Sequence, residues 1–69
     1  MRLLALETGA TVLGAALFED GRPARQVHQR APQRQTELLA PLVQGLLGAA
    51  AWTFNSLDVL ACAVGPGSF

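Results

Sequence analysis

Sixty-nine residues is well below the ~100–200 of a typical domain, yet 51% are hydrophobic and only 14% charged, the make-up of a packing chain and not of a solvated tail. A single cysteine, Cys62, excludes an internal disulfide, and beside a lone His28 it cannot complete a Cys/His zinc site. Five arginines, no lysine and five acids give zero formal charge, which argues against an electrostatic grip on nucleic acid or on an anionic membrane.

The elements follow in chain order. Leu3–Leu6 is a continuous apolar run, as in a strand buried on both faces. Glu7-Thr8-Gly9-Ala10 breaks it as a turn. Thr11–Phe18 reads as a second buried strand, with Gly14 marking the close approach of another backbone. Asp20-Gly21 is the pair favoured in tight hairpins. Arg22–Arg30 has Val27 as its only large apolar residue and Pro23 near its start, and so predicts an edge strand. Four of the five arginines lie between Arg22 and Arg34; they read as an exposed edge and loop, with an RNA or phosphate contact as the competing reading.

Leu38, Leu39, Leu42, Val43, Leu46 and Leu47 then form one helical stripe over Gln35–Gly48. Thr36 or a neighbour is a candidate cap, Gly48 a candidate stop and Pro41 a breaker inside it. Residues 49–56 make a connection with Trp52 and Phe54 packed under it. Leu57–Val64 is the last strand, holding Cys62 as an inert core thiol, and Gly65-Pro66-Gly67-Ser68-Phe69 follows. The order is β-β-β-α-β, an α/β arrangement in which the helical crossover lets the last strand lie parallel to the first. Glu7 cuts the N-terminal apolar run too early for a signal peptide. Pro41, Gln44, Gly45 and Gly48 break Ala40–Trp52, so no membrane span is expected and the reading is of a cytoplasmic protein.

Three features could carry chemistry. Glu7, Thr8 and Gly9 end a strand with a carboxylate, a hydroxyl and a glycine, a set able to meet a nucleotide phosphate or its metal, although an ordinary turn is the commoner meaning. Gly65, Gly67 and Ser68 directly follow a strand, where open sheets bind ligands and glycine lets backbone N–H groups approach an anion; the string is neither a Walker loop nor a dinucleotide fingerprint. The broad helix stripe packs against the sheet and can also serve a partner through Leu38, Leu42, Gly45 and Leu46. A nucleophile–base pair is hard to assemble, because Ser56 and Ser68 have only His28 as a base. No catalytic residue, cofactor or metal is assigned.

These residues also resemble a known family. LLALETGATVLGAALFEDGRPA looks like the opening hairpin of the TsaB (YeaZ) family, QTELLAPLVQGLL resembles its first helix, Pro41 included, and LDVLACAVGPGSF is similar to its LD…GPGSFTG segment. Glu7 stands where the family usually has Asp, Gln35 where it has His, and Gly9 where Ser or Ala is common.

The resemblance implies an incomplete N-terminal subdomain of the actin-like ATPase (ASKHA, ribonuclease H-like) superfamily. Residues 1–69 would be the first part of a TsaB-like (Gcp-like) domain that continues into Thr-Gly-Leu-Arg, a second helix and a further subdomain. It implies a non-catalytic partner of the TsaD enzyme, which forms N6-threonylcarbamoyladenosine at position 37 of ANN-decoding tRNAs. A TsaE-like ATPase and a second TsaB copy would be further partners, and tRNA would be engaged only indirectly. The alternatives are a glycoprotease-type peptidase and a free-standing actin-like nucleotide-binding module. The 69 residues alone are expected to be inactive and marginally stable.

Overall fold

A computed structural model describes residues 1–9, 11–30 and 35–64. Three antiparallel strands come first: β1 (Arg2–Thr8), β2 (Val12–Glu19) and β3 (Arg22–Arg30). Helix α1 (Gln35–Ala50) crosses over to β4 (Val59–Val64) through a short 3-10 turn at Phe54–Ser56. The sheet order is β3-β2-β1-β4, with β4 parallel to β1. The expected edge strand and parallel closing strand are both present.

The β2–β3 connection forms where the sequence places it. Asp20 (φ 53°) and Gly21 (φ 81°) are both left-handed, the two-residue turn whose twist matches that of the flanking strands. Arg2 then ties the turn end of this hairpin to the rest of the fold. Its Nε donates to Glu19 at 3.0 Å, and its guanidinium lies 4.4 Å from the Trp52 ring centroid. Its backbone N–H donates to the Asp58 carboxylate at 2.8 Å, while the Asp58 N–H returns to the Arg2 carbonyl at 2.8 Å.

Cross-strand register sorts the side chains onto two faces. Leu4 and Leu6 of β1 pair with Leu17 and Ala15 of β2, and Ala15 pairs with Val27 of β3. Helix α1 covers this face with Val43, Leu46 and Leu47, so that Leu4 and Leu17 are fully buried in one cluster with them; Leu13, on the same face, is fully buried as well. At roughly 25 cal/mol per Å² of apolar surface, this layer is the main source of stability. The opposite face carries Leu3, Ala5, Ala16 and Phe18, all only half-buried. The strands are therefore buried on one face and not on both: a single helix covers a single side.

Other expectations are corrected. Glu7 and Thr8 belong to β1 and not to the turn, because each has a ladder partner in both β2 and β4. The last strand begins at Val59, since Leu57 closes the 3-10 turn by donating to the Phe54 carbonyl at 3.1 Å. Cys62 is exposed, because α1 lies over β2 and β3 and leaves the β4 end of its own face bare; Leu60 is 57% exposed there. Phe54 is 60% exposed, whereas Trp52 packs against the core. Gly14 is approached most closely by a side chain: a Cβ there would sit 2.8 Å from His28 Cδ2, with the Val27 backbone carbonyl farther off at 3.6 Å.

The helix is longer than its stripe. Thr36 lies inside it and not at a cap, and it runs past Gly48 to Ala50. It ends at Ala51, whose φ is +59°. The Ala51 N–H donates to the Gly48 carbonyl at 3.1 Å, and the Trp52 N–H to the Leu47 carbonyl at 2.9 Å. This is the paired 5→2 and 6→1 closure that usually takes glycine at the left-handed position. Pro41 is exposed, so it occupies the solvent side of α1, where water can take the place of a missing helical bond.

Candidate functional site

The β1–β2 loop is the first candidate. Alternation along β1 sends the Glu7 and Thr8 side chains to opposite faces. Glu7 is exposed on the open face, in a row with Ala63, Gly14 and His28. Thr8 is 3% exposed and faces the helix layer beside Leu13. The two polar side chains do not converge on one ligand. The Gly9 N–H donates to the Val12 carbonyl at 2.9 Å, so the amide that would greet a phosphate is committed to closing the turn. A Cβ at Gly9 would meet nothing closer than that carbonyl at 3.7 Å. Glycine is therefore not required there for close approach.

The second candidate, Gly65, Gly67 and Ser68, lies outside the described residues. Parallel pairing of Thr8 with Val64 does end β1 and β4 level with each other.

Catalytic pairs fare no better. The Ser56 hydroxyl donates to the Thr53 carbonyl at 2.6 Å within the 3-10 turn. Ser56 stands beside the Arg2 end of β1, whereas His28 is in register with Gly14 and Glu7 near the other end. At ~3.3 Å per residue, the strand length separates them by more than 15 Å. Among the described residues, no group of three His, Cys, Asp or Glu could hold a metal ion.

The third candidate is the helix. Leu46 is 7% exposed and belongs to the core cluster, and it also lines the groove between α1 and β3. Leu38 and Leu42 are half-buried, and Gly45 is exposed with open space where a Cβ would project. These three form one wall of a groove of about 870 Å³ between α1 and β3. Its other wall is the edge strand, through Pro23, Arg25 and Val27. Of these β3 residues the sequence offered only the arginine stretch, and that as an RNA or phosphate contact. Their signal in the sequence was the basic, acid-free stretch itself, which has meaning only once a helix lies beside it.

No family model matches the chain. Over all 69 residues it is 32% identical to the tRNA threonylcarbamoyladenosine biosynthesis protein TsaB of Escherichia coli K12. The solved structure of YeaZ from Pseudomonas aeruginosa matches 99% of it with a TM-score of 0.85 at 32% identity. Over its whole length and in its fold the chain is similar to TsaB (YeaZ) proteins, as an N-terminal fragment of one would be. A second solved structure, described as an uncharacterized protein with similarity to peptidase YeaZ from Pseudomonas aeruginosa, matches 99% of the chain with a TM-score of 0.84 and 32% identity. The chain spans 29% of the curated TsaB and 32% and 31% of the two YeaZ-like structures. The TsaB-like fold here is thus a mixed four-stranded sheet with one helix, part of a larger domain in those relatives. No helix among the described residues is long and apolar enough to cross a membrane.

Proposed function

We propose that this chain is the N-terminal part of a non-catalytic scaffold that acts with a TsaD-like enzyme in forming N6-threonylcarbamoyladenosine at position 37 of ANN-decoding tRNAs, in the cytoplasm. The observation that carries the reading is the match of the entire chain, in sequence and in fold, to TsaB and YeaZ. The scaffold role draws support from the site. Thr8 faces the core, the Gly9 amide is spent on the turn, and Ser56 and His28 stand at opposite ends of the sheet. The surface offered to a partner is the α1 flank bearing Leu38, Leu42 and Gly45, with Leu46 supporting it from the core. A TsaE-like ATPase and a second TsaB-like copy complete the proposed assembly, and tRNA is met through the partner.

The test replaces the matching segment of the Escherichia coli relative with this chain, in cells lacking that relative. Restored threonylcarbamoyladenosine in tRNA is the expected result. Gly45→Arg, at a site with open space for a side chain, should abolish co-purification with the TsaD-like protein while leaving the circular dichroism unchanged. A chimaera that folds but neither binds that protein nor restores the modification would overturn the reading.

The peptidase reading is favoured by the description of one structural match. It predicts peptide cleavage that depends on Glu7 or His28, and the scaffold reading predicts none. The nucleotide-module reading predicts saturable ATP–Mg²⁺ binding by residues 1–69, which calorimetry would detect.

A further inference from the structure

We propose that the groove between β3 and α1 receives an extended acidic segment of a partner protein, which adds to the sheet as a new strand beside β3. This rests on the reading above in taking the Leu38–Gly45 flank as partner-facing. It goes further by naming the mode of recognition and the chemistry of the occupant.

Three observations carry it. First, β3 is a nine-residue strand at the sheet edge, and every one of its residues is exposed except the half-buried Val27. Beyond its ladder with β2, no described backbone group pairs with it, so its outer N–H and C=O groups form an open hydrogen-bonding template. The register shift that disturbs pairing lies near its start, opposite Leu17 and Phe18; from Arg25 to Arg30 the strand is regular.

Second, the groove runs beside that template with an apolar opposite wall of Leu38, Pro41, Leu42 and Gly45. A backbone ladder on one side and an apolar helix flank on the other is the geometry that takes a peptide by strand addition. Main-chain bonds hold the peptide, and alternate side chains enter the groove.

Third, β3 carries Arg22, Arg25 and Arg30 and no acid. None of the three forms an ion pair with a described residue. Arg25 lines the groove, and Arg30, in register with Val12, lies on the opposite face. An incoming strand therefore meets positive charge on both of its sides, which selects carboxylates. The same charges disfavour a second copy of this chain, since two β3 edges would place arginines against arginines.

Arginines on an edge strand can also simply deter association. The two roles differ in sign selectivity, since a deterrent repels every strand and a docking edge accepts an acidic one. The experiment titrates the isotope-labelled chimaera, in which this chain replaces the matching segment of the Escherichia coli relative, with a blocked octapeptide of alternating Val and Glu, and separately with its Val and Lys counterpart, at low salt. Shift changes and slowed amide exchange are expected along Arg25–Arg30, with the acidic peptide bound at least about tenfold more tightly.

Arg25→Glu combined with Arg30→Glu, both at exposed positions, should reverse that preference. Gly45→Leu should cut binding about tenfold with no loss of thermal stability, because it fills the groove from a position where the side chain has room and helix propensity improves. Equal binding of the two peptides, no binding by either, protection along β4 instead of β3, or self-association through β3 without peptide would each overturn the proposal. None of these outcomes bears on tRNA modification by the chimaera, so the two readings fail separately.

Discussion

Ala51 offers the sharpest test of the fold. It holds φ +59° to close α1, a conformation in which an L side chain crowds the following carbonyl at a cost of about 1–2 kcal/mol. Glycine removes that crowding and keeps both closing bonds, from Ala51 to Gly48 and from Trp52 to Leu47, because they involve only backbone atoms. Against the gain stands the extra freedom glycine gives the unfolded chain, about 0.4–1 kcal/mol. Ala51→Gly should therefore stabilise the chain by roughly 0.5–1 kcal/mol, a rise of about 2–8 °C in melting temperature for a domain of this size.

The control is Ala49→Gly, two residues earlier on the exposed side of the same helix. There the backbone is ordinary helix, and glycine should destabilise by about 1 kcal/mol. Urea titrations followed by circular dichroism would measure both. Opposite signs are required. If Ala51→Gly lowered the midpoint as Ala49→Gly does, the helix would not end in the closure described, and the placement of Trp52 under Arg2 would fall with it.

Four further outcomes are expected. Leu17→Ala, at a fully buried position beneath α1, should cost about 2–5 kcal/mol in the same titration, whereas Phe54→Ala should stay within ~0.5 kcal/mol. Gly14→Ala should cost no more than about 1 kcal/mol and should perturb the His28 ring resonances, because the clashing atom is the end of an exposed side chain that can swing outward; a loss above ~3 kcal/mol would mean that the ring is held in place. Cys62 should react with a disulfide reagent in the folded chain about as fast as in urea, and hundred-fold protection would contradict its exposure.

The fourth concerns pH. Bonding between Asp20 and the Met1 ammonium, then the attraction between their charges, holds the Asp20 carboxyl below its ordinary 3.8; the same bond raises the ammonium above 8.0. Stabilisation from the lowered carboxyl is present above pH 3.8 and lost as pH falls through its depressed value. That from the raised amine is present below pH 8.0 and lost as pH rises through its elevated value. Acetylating the amine should return the Asp20 titration, followed by NMR, to the ordinary range, and an unchanged titration would refute the pairing.

Local signals carried most of the element order. Asp20-Gly21 specifies a turn through backbone preferences alone, and Pro23 among polar residues marks an edge because proline cannot donate to a ladder. The leucine stripe specifies a helix because a period of 3.6 gathers its apolar residues on one side. These are properties of short windows, so sequence exposes them. What lies over a strand is a property of distant residues. The apolar runs at Leu3–Leu6 and Leu57–Val64 look alike whether one face or both are covered. Only the position of α1 over β2 and β3 leaves Cys62 and Leu60 in solvent and makes Leu46 core.

The candidate sites divide in the same way. Glu7, Thr8 and Gly9 sit side by side in sequence and look like one cradle. Strand alternation turns one outward and one inward, and the third spends its amide on the turn. The groove behaves in the opposite sense. Its walls come from segments more than ten residues apart, one a basic edge and the other an apolar helix flank, and neither suggests a binding surface alone. The strands, the helix, the turn and the family likeness are legible along the chain because they depend on local order. The tertiary structure decided which side chains meet, because the sheet brings β3 beside α1 and places Glu7 and Thr8 back to back.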